Sequence, residues 1–86
     1  MYQIFFTKQA MKDRKLLAQA GLEKRAKALL AVIEKNPFQT PPPYEKLVGD
    51  LAGNYSRRIN HQHRLVYEVY QDKNAVKVLR MWTHYD

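Results

Sequence analysis

Apolar positions in the first 40 residues follow a strand-like run and then two helical stripes. The run Tyr2–Phe6 is rich in β-forming residues, and Thr7 is a suitable N-cap for a helix over residues 8–20. Gly21 interrupts that helix, and Asn36-Pro37 ends the next one, because proline disfavours the helical conformation of the residue before it. Between these breaks one apolar stripe has helical spacing and contains Leu22, Ala26, Leu29, Leu30 and Ile33. The pattern predicts a strand followed by a helical hairpin.

The second half of the chain has the alternation and turn signals of β-structure. Pro41-Pro42-Pro43 marks the change from helix to sheet, and we interpret it as a stiff spacer rather than a polyproline ligand. Turns of about three residues separate the predicted strands, so they must pair antiparallel, since a parallel crossover needs about a dozen residues or more. The predicted strands are Tyr55–Ile59, Arg64–Tyr70 and Ala75–Trp82.

Alternation also assigns side chains to the two faces of the predicted sheet. In the middle strand, Leu65, Tyr67 and Val69 share the face that we expect the helices to cover, which leaves Arg64 on the open face. Arg57 and Arg58 are adjacent and point to opposite faces, so at most one can join Arg64, and spacing does not decide which. We therefore predict an α+β fold, with a helical hairpin on one face of a twisted, mainly antiparallel sheet and a site on the other.

Composition narrows the class of protein. The chain has 86 residues, which we expect to form one domain over residues 1–86, and its formal net charge of +7 favours polyanionic partners. The excess is concentrated in residues 1–40, which carry eight basic and three acidic side chains. An alternative explanation of this excess is a solvated basic helix face with no polyanionic partner. The absence of cysteine excludes disulfides, thiolate zinc sites and cysteine nucleophiles, and it favours a cytoplasmic location. No apolar run suggests a membrane span or a signal segment.

Three residue types near the predicted sheet match the needs of metal-free RNA cleavage. Transesterification by a 2′-OH requires a base, a cation that holds the phosphate and an acid for the departing oxygen. Glu45 follows the proline connector, Arg64 lies on the open face and His84 follows the last strand. Such residue types are common in small basic domains, so they do not identify an enzyme by themselves.

The order of residues in the second half is more specific. It contains E-x-L at Glu45, L-x-G-x-[YFW]-S-R-R-I ending at Ile59, H-R-L-V-Y beginning at His63 and a closing H-Y at His84-Tyr85. This combination closely resembles the YoeB/Txe toxins, RelE-like endoribonucleases of bacterial toxin–antitoxin pairs. The resemblance covers residues 44–86 strongly, whereas the first half agrees mainly in its arrangement of elements.

The resemblance implies roles for individual residues and a RelE-like fold. It makes Glu45 the general base, has Arg64 and Arg58 bind the scissile phosphate, and makes His84 the general acid beside Tyr85, with no cofactor. Some relatives have a proline after the base and basic or polar residues at the next few positions, where this chain has Lys46, Val48, Gly49 and Asp50. We expect Lys46 to be a relocated RNA contact. Asp86 and the terminal carboxylate add negative charge beside His84 and are expected to raise the pKa of that histidine.

The resemblance also implies partners. It predicts cleavage of mRNA in the ribosomal A site and neutralisation by an acidic, partly disordered antitoxin of the YefM/Axe type, and it leaves a homodimer open. Two rival functions remain at this point: a toxin of the same superfamily that binds DNA gyrase, and a non-catalytic nucleic-acid-binding module. The retention of both Glu45 and His84 counts against these rivals.

Several other side chains have two interpretations. Tyr55 and Trp82 are candidates for base stacking or for the core, whereas Tyr67 is more typical of the core. His61 and His63 form an H-x-H pair, a spacing that can bind a metal ion. No cysteine or carboxylate lies nearby in the sequence to complete such a site, so we interpret His63 more simply as structural or close to the phosphate. Arg57 is expected on the surface or facing the antitoxin, and Arg80 in a salt bridge or in contact with RNA.

Overall fold

The computed structural model describes residues 1–83 of the chain. The elements in chain order are β1 (Gln3–Phe6), α1 (Lys8–Gln19), α2 (Glu23–Lys35), β2 (Glu45–Lys46), β3 (Asn54–Arg58), β4 (Arg64–Tyr70) and β5 (Ala75–Thr83). Single 3₁₀ turns occur at Gly49–Leu51 and Gln71–Lys73. The predicted acid His84 and its neighbour Tyr85 lie outside the described residues. No helix in the described range is long and apolar enough to cross a bilayer.

The five strands form one mixed sheet in the order β1-β5-β4-β3-β2. The antiparallel pairing of β3 with β4 and of β4 with β5 confirms the prediction from the short turns. Two features were not predicted. β1 pairs parallel with β5, and β2 is an edge strand of two residues, paired antiparallel with β3, at the end of the proline connector.

The helical hairpin covers one face of this sheet, as predicted. The Thr7 hydroxyl accepts a hydrogen bond from the backbone N–H of Ala10 at 3.0 Å, which confirms Thr7 as the N-cap of α1. The stripe on α2 packs into the core through Ala26, Leu29 and Ile33. From the sheet, the core receives Leu65, Tyr67, Val76, Val78 and Met81.

A carboxylate on α1 supports an irregular stretch of β5. The register between β4 and β5 shifts around Val66, so that Val66 pairs with Arg80 and Tyr67 with Val78. Asp13, 1% exposed, accepts hydrogen bonds from the backbone N–H groups of Met81 at 2.9 Å and Trp82 at 3.2 Å. It also forms a salt bridge with Arg80 at 3.0 Å, so the salt-bridge interpretation of Arg80 is confirmed.

Candidate active site

Glu45 and Arg64 meet on the sheet face that the helices leave open. Glu45 pairs with Ser56 across β2 and β3, and Ser56 pairs in turn with Val66 on β4. The Arg64 Nη1 atom lies 3.1 Å from the Glu45 carboxylate, although the two residues are 19 positions apart in the chain. The Glu45 side chain is 62% exposed and that of Arg64 only 11% exposed. The solvent-accessible carboxylate of Glu45 therefore contacts the largely buried guanidinium of Arg64.

Arg58 is the second arginine on this face. It lies directly opposite Arg64 in the register of β3 and β4, which answers the question that spacing left open. The exposed Arg58 side chain donates from Nη1 to the carbonyl of His61 at 3.4 Å. Like charges at facing positions of a sheet destabilise it. Two facing arginines therefore indicate a site whose charge suits an anion, because an anion between them relieves their repulsion.

A small cleft joins these side chains. Its volume is about 90 Å³, and it is lined by Pro42, Pro43, Tyr44, Glu45, Ser56, Arg58 and Arg64. Ser56 is 1% exposed and its hydroxyl accepts a hydrogen bond from Arg64 Nη1 at 3.3 Å. Ser56 was missed in the sequence. Strand alternation offers a signal for it, because the serine of S-R-R shares a face with the second arginine.

Lys46 and Tyr55 do not lie on the Glu45 face. They face each other in the register of β2 and β3, one position away from the Glu45–Ser56 pair, so their side chains point toward the opposite side of the sheet. The Tyr55 ring packs among other aromatic rings, with centroid distances of 5.3 Å to Phe38, 5.7 Å to Tyr44 and 5.8 Å to Tyr67. Contact of Lys46 or Tyr55 with RNA stays a prediction that this geometry does not favour.

Arg57 is not a surface residue, and that expectation was wrong. Its side chain is 1% exposed because it enters the space between the sheet and the proline connector. The guanidinium donates to the Tyr67 hydroxyl and to the backbone carbonyls of Pro37, Gln39 and Pro42. Burial of the Tyr67 hydroxyl raises its pKa, and the nearby Arg57 opposes that rise only in part.

The histidine pair is divided between surface and interior. His61 is exposed, whereas His63 is 4% exposed and stacks on Trp82 with ring centroids 3.8 Å apart. This contact supports a structural interpretation for His63 and for Trp82. Among residues 1–83, no group of three or more His, Cys, Asp or Glu side chains is arranged to hold a metal ion.

The arrangement suits proton abstraction beside a bound phosphate. Arginine offers five N–H donors in a planar fork, a geometry that matches phosphate oxygens. Low exposure of its side chain strengthens such contacts, since less water competes for the donors. The exposed carboxylate of Glu45 remains accessible to a proton donor on a substrate.

A family model described as a YoeB-like toxin of a bacterial type II toxin-antitoxin system matches residues 6–85, nearly the whole chain. The chain belongs to this family. Toxin YoeB of Streptomyces coelicolor is 37% identical to it over 76 residues, which cover 86% of this chain and 90% of that protein. The YoeB-like motifs, and the cleft that contains Glu45, Arg58 and Arg64, thus lie in a chain that matches this family over nearly its whole length.

Solved structures of YoeB proteins have the same fold. The toxin in a YoeB-YefM complex from Staphylococcus aureus is 39% identical, with a TM-score of 0.81 and coverage of 99% of both chains. A YoeB dimer from the same organism gives a TM-score of 0.82 with 98% coverage of both chains. A YoeB/ParE toxin from Agrobacterium tumefaciens gives a TM-score of 0.86 at 28% identity. The RelE-like α+β fold expected from the sequence is confirmed.

Proposed function

We propose that this YoeB-family toxin is an endoribonuclease that cleaves mRNA on the ribosome by metal-independent acid–base catalysis. The observation that carries the proposal is the contact of 3.1 Å between the Glu45 carboxylate and the Arg64 guanidinium in a cleft that also contains Arg58. The cleft thus brings together a carboxylate that can act as a base and two arginines that can bind phosphate, which supports two of the three functions that RNA transesterification requires.

In the proposed mechanism, Glu45 takes the proton of the 2′-OH as its oxygen attacks the adjacent phosphorus. Arg64 and Arg58 stabilise the negative charge that develops on the phosphate oxygens in the transition state. His84 donates a proton to the departing 5′ oxygen, with Tyr85 beside it, as the family resemblance implies. The products are a 2′,3′-cyclic phosphate, which water can open to a 3′-phosphate, and a 5′-hydroxyl.

We also propose an antitoxin partner and a cytoplasmic location. The Staphylococcus aureus relative is described in complex with YefM, and another structure from that organism is described as a YoeB dimer. For this chain we propose an acidic, initially disordered antitoxin segment, since its net charge of +7 provides long-range attraction for such a partner. A homodimer is a further proposal. A ribosomal substrate requires a location in the cytoplasm.

The deciding experiment replaces the base. Glu45→Gln keeps the size of the side chain and is expected to lower the cleavage rate on programmed ribosomes by about 10²–10⁴-fold, the usual contribution of a positioned base. Glu68→Gln is the matched control, since Glu68 lies four positions after Arg64 on β4, is not among the residues that line the cleft and accepts a hydrogen bond from Tyr70. The Glu68→Gln rate should stay close to that of the wild type. A wild-type rate in Glu45→Gln would remove Glu45 from the mechanism.

A further inference from the structure

Arg57 is a buried cation whose partners are backbone carbonyls instead of a carboxylate. Nε donates to the Tyr67 hydroxyl at 3.0 Å, Nη1 to the Pro42 carbonyl at 2.6 Å, and Nη2 to the carbonyls of Pro37 at 3.0 Å and Gln39 at 2.8 Å. Among residues 1–83, no carboxylate lies within salt-bridge distance of it. Its charge is balanced mainly by the connector between α2 and β2.

The connector, residues 36–44, depends on such a donor. Prolines at positions 37, 41, 42 and 43 have no N–H group, so this segment cannot pair regularly with a neighbouring strand. Buried or half-buried carbonyls without a donor are costly, and the guanidinium fork satisfies three connector carbonyls at once, the buried one of Pro37 and the half-buried ones of Gln39 and Pro42. Tyr67 reinforces the arrangement, because its hydroxyl donates to the Pro37 carbonyl at 2.8 Å.

Glu45 follows this anchored segment at once. Pro42, whose carbonyl receives the shortest of these hydrogen bonds, precedes Glu45 by three residues, and the ring of the intervening Tyr44 has its centroid 5.2 Å from the Arg57 guanidinium carbon. Beyond Glu45, β2 is only two residues long, and one further backbone bond joins the Leu47 N–H to the Asn54 carbonyl at 2.9 Å. So short an edge strand does little by itself to fix the position of Glu45.

We infer that Arg57 is a positioning residue for Glu45, which it serves through the connector carbonyls. The inference rests on the proposed function, since it assigns Arg57 a part in the same reaction. Arg57 and Arg58 then have different roles on the two faces of β3. Arg57 fixes the segment that carries the base, and Arg58 lies on the face where the phosphate would bind. Errors of about 1 Å in the position of a catalytic group can lower a rate by about 10²-fold.

The first test measures the connector without any cleavage assay. Arg57→Met keeps an unbranched side chain of similar reach but removes all donors, and Arg57→Lys keeps the charge with fewer donors in reach. Hydrogen exchange at the Leu47 amide should be faster in Arg57→Met than in the wild type, with Arg57→Lys between them. Arg80→Met is the matched control, because it removes a hydrogen-bonded arginine from β5 without touching the connector. Unchanged Leu47 exchange in both Arg57 variants would overturn the inference.

The second test measures catalysis. Arg57→Met is expected to lower kcat on programmed ribosomes by about 10–10²-fold and to leave KM within about twofold, with partial rescue by Arg57→Lys. In a Glu45→Gln background the same substitution should cause no further loss, because the base it positions is already absent. An equal loss in both backgrounds would mean general structural damage and would refute a positioning role.

The two tests separate the inference from the proposed function. If the wild-type toxin does not cleave RNA, the nuclease proposal fails, and Leu47 exchange still decides whether Arg57 fixes the connector. If the wild type cleaves and Arg57→Met keeps its full kcat, the positioning role alone fails. If Arg57→Met does not fold, Arg57→Lys is compared with the wild type in the same two measurements.

Discussion

Two arginines that are adjacent in the sequence have opposite environments in this protein. Arg57 is 1% exposed and donates hydrogen bonds to connector carbonyls, whereas Arg58 is exposed and lies opposite Arg64 on the neighbouring strand β4. Strand alternation requires that they lie on different faces, and the register of β3 with β4 determines which one reaches the site. The functional meaning of an S-R-R motif therefore differs between its two arginines.

At Arg64 we predict that geometry matters as well as charge. Arg64→Lys keeps the positive charge but loses the planar fork that matches phosphate oxygens in a bidentate contact. Cleavage on programmed ribosomes should fall by about 10–10²-fold, since the variant forms one or two fewer charge-assisted hydrogen bonds to the transition state. Arg80→Lys is the control and should keep most of the activity. Equal rates for Arg64→Lys and the wild type would contradict a bidentate phosphate contact.

Strand alternation predicted which residues share a face, but it carries no distances between elements. The open-face position of Arg64 and the core position of Leu65 follow from a period of two, and the structure has both. The burial of Arg57 could not be predicted in this way. It depends on carbonyls 15 to 20 positions earlier in an irregular connector, where no periodicity relates the residues in contact.

Among the elements, the ends of the sheet were the hardest to predict. The helical stripe on α2 and the short turns between β3, β4 and β5 are local patterns, and both were confirmed. β2 has only two residues, too few for any alternation to be visible. The parallel pairing of β1 with β5 joins the two ends of the chain, which no local signal indicates.

The bulged part of β5 depends on α1 through Asp13. In a regular strand adjacent N–H groups point to opposite sides, so one carboxylate oxygen can accept from both Met81 and Trp82 only where the strand is irregular. Burial alone would raise the pKa of Asp13, but the hydrogen bonds from Met81, Gln9 and Arg80 outweigh it and leave the pKa below its ordinary value. Helix α1 thereby holds the strand that leads directly to His84.

We predict an acid-dependent contribution to stability from Asp13. Because its pKa is lowered on folding, the ionised group stabilises the fold above the unfolded-state value of about 3.9, and this stabilisation is lost as the pH falls through the folded-state pKa. Asp13→Asn should lower the free energy of unfolding at neutral pH by about 1.5–3 kcal/mol, the range for hydrogen bonds to a charged group. The deficit should shrink below about pH 4.

Urea unfolding at a series of pH values measures this effect. Asp72→Asn is the matched control, since Asp72 lies exposed in the 3₁₀ turn Gln71–Lys73. Its unfolding free energy should follow that of the wild type at every pH. A deficit for Asp13→Asn that stays constant from neutral pH to about pH 2 would mean that the ionised carboxylate is not the source of the stability.

At the scale of the whole molecule, the excess positive charge of the helices and the candidate site lie on different faces of the sheet. The helices, which cover the face away from Glu45, carry all of the charged side chains of the first 40 residues, eight basic and three acidic. A polyanion can therefore be held by the helices while the open face stays accessible to a substrate. Long-range attraction of this kind depends on ionic strength, unlike the short contacts within the cleft.

Antitoxin binding should use this charge. We expect co-expression with the neighbouring gene to give a complex of nanomolar or tighter affinity, because opposite charges speed association and a folding segment can cover a large surface. Size-exclusion chromatography at low salt detects such a complex, and cleavage on ribosomes should be blocked in it. A toxin that elutes alone under these conditions would count against an antitoxin encoded by that gene.

We predict that the toxin docks on the ribosome through its helical face. Lys12 on α1 and Lys24 on α2 are exposed, and so are Lys73 and Lys77 near the opposite end of the sheet from Glu45. Lys12→Ser/Lys24→Ser and Lys73→Ser/Lys77→Ser remove the same charge, so a comparison of the two double variants separates the location of the charge from its total.

If the helices contact ribosomal RNA, the Lys12→Ser/Lys24→Ser variant should bind ribosomes more weakly. Its plot of log affinity against log salt concentration should be less steep by about 0.7–0.9 for each phosphate that the variant no longer neutralises. The sheet variant should keep the wild-type slope. Equal slopes for the two variants would mean that only the overall charge of the toxin attracts it to the ribosome, and the docking surface would then have to lie elsewhere.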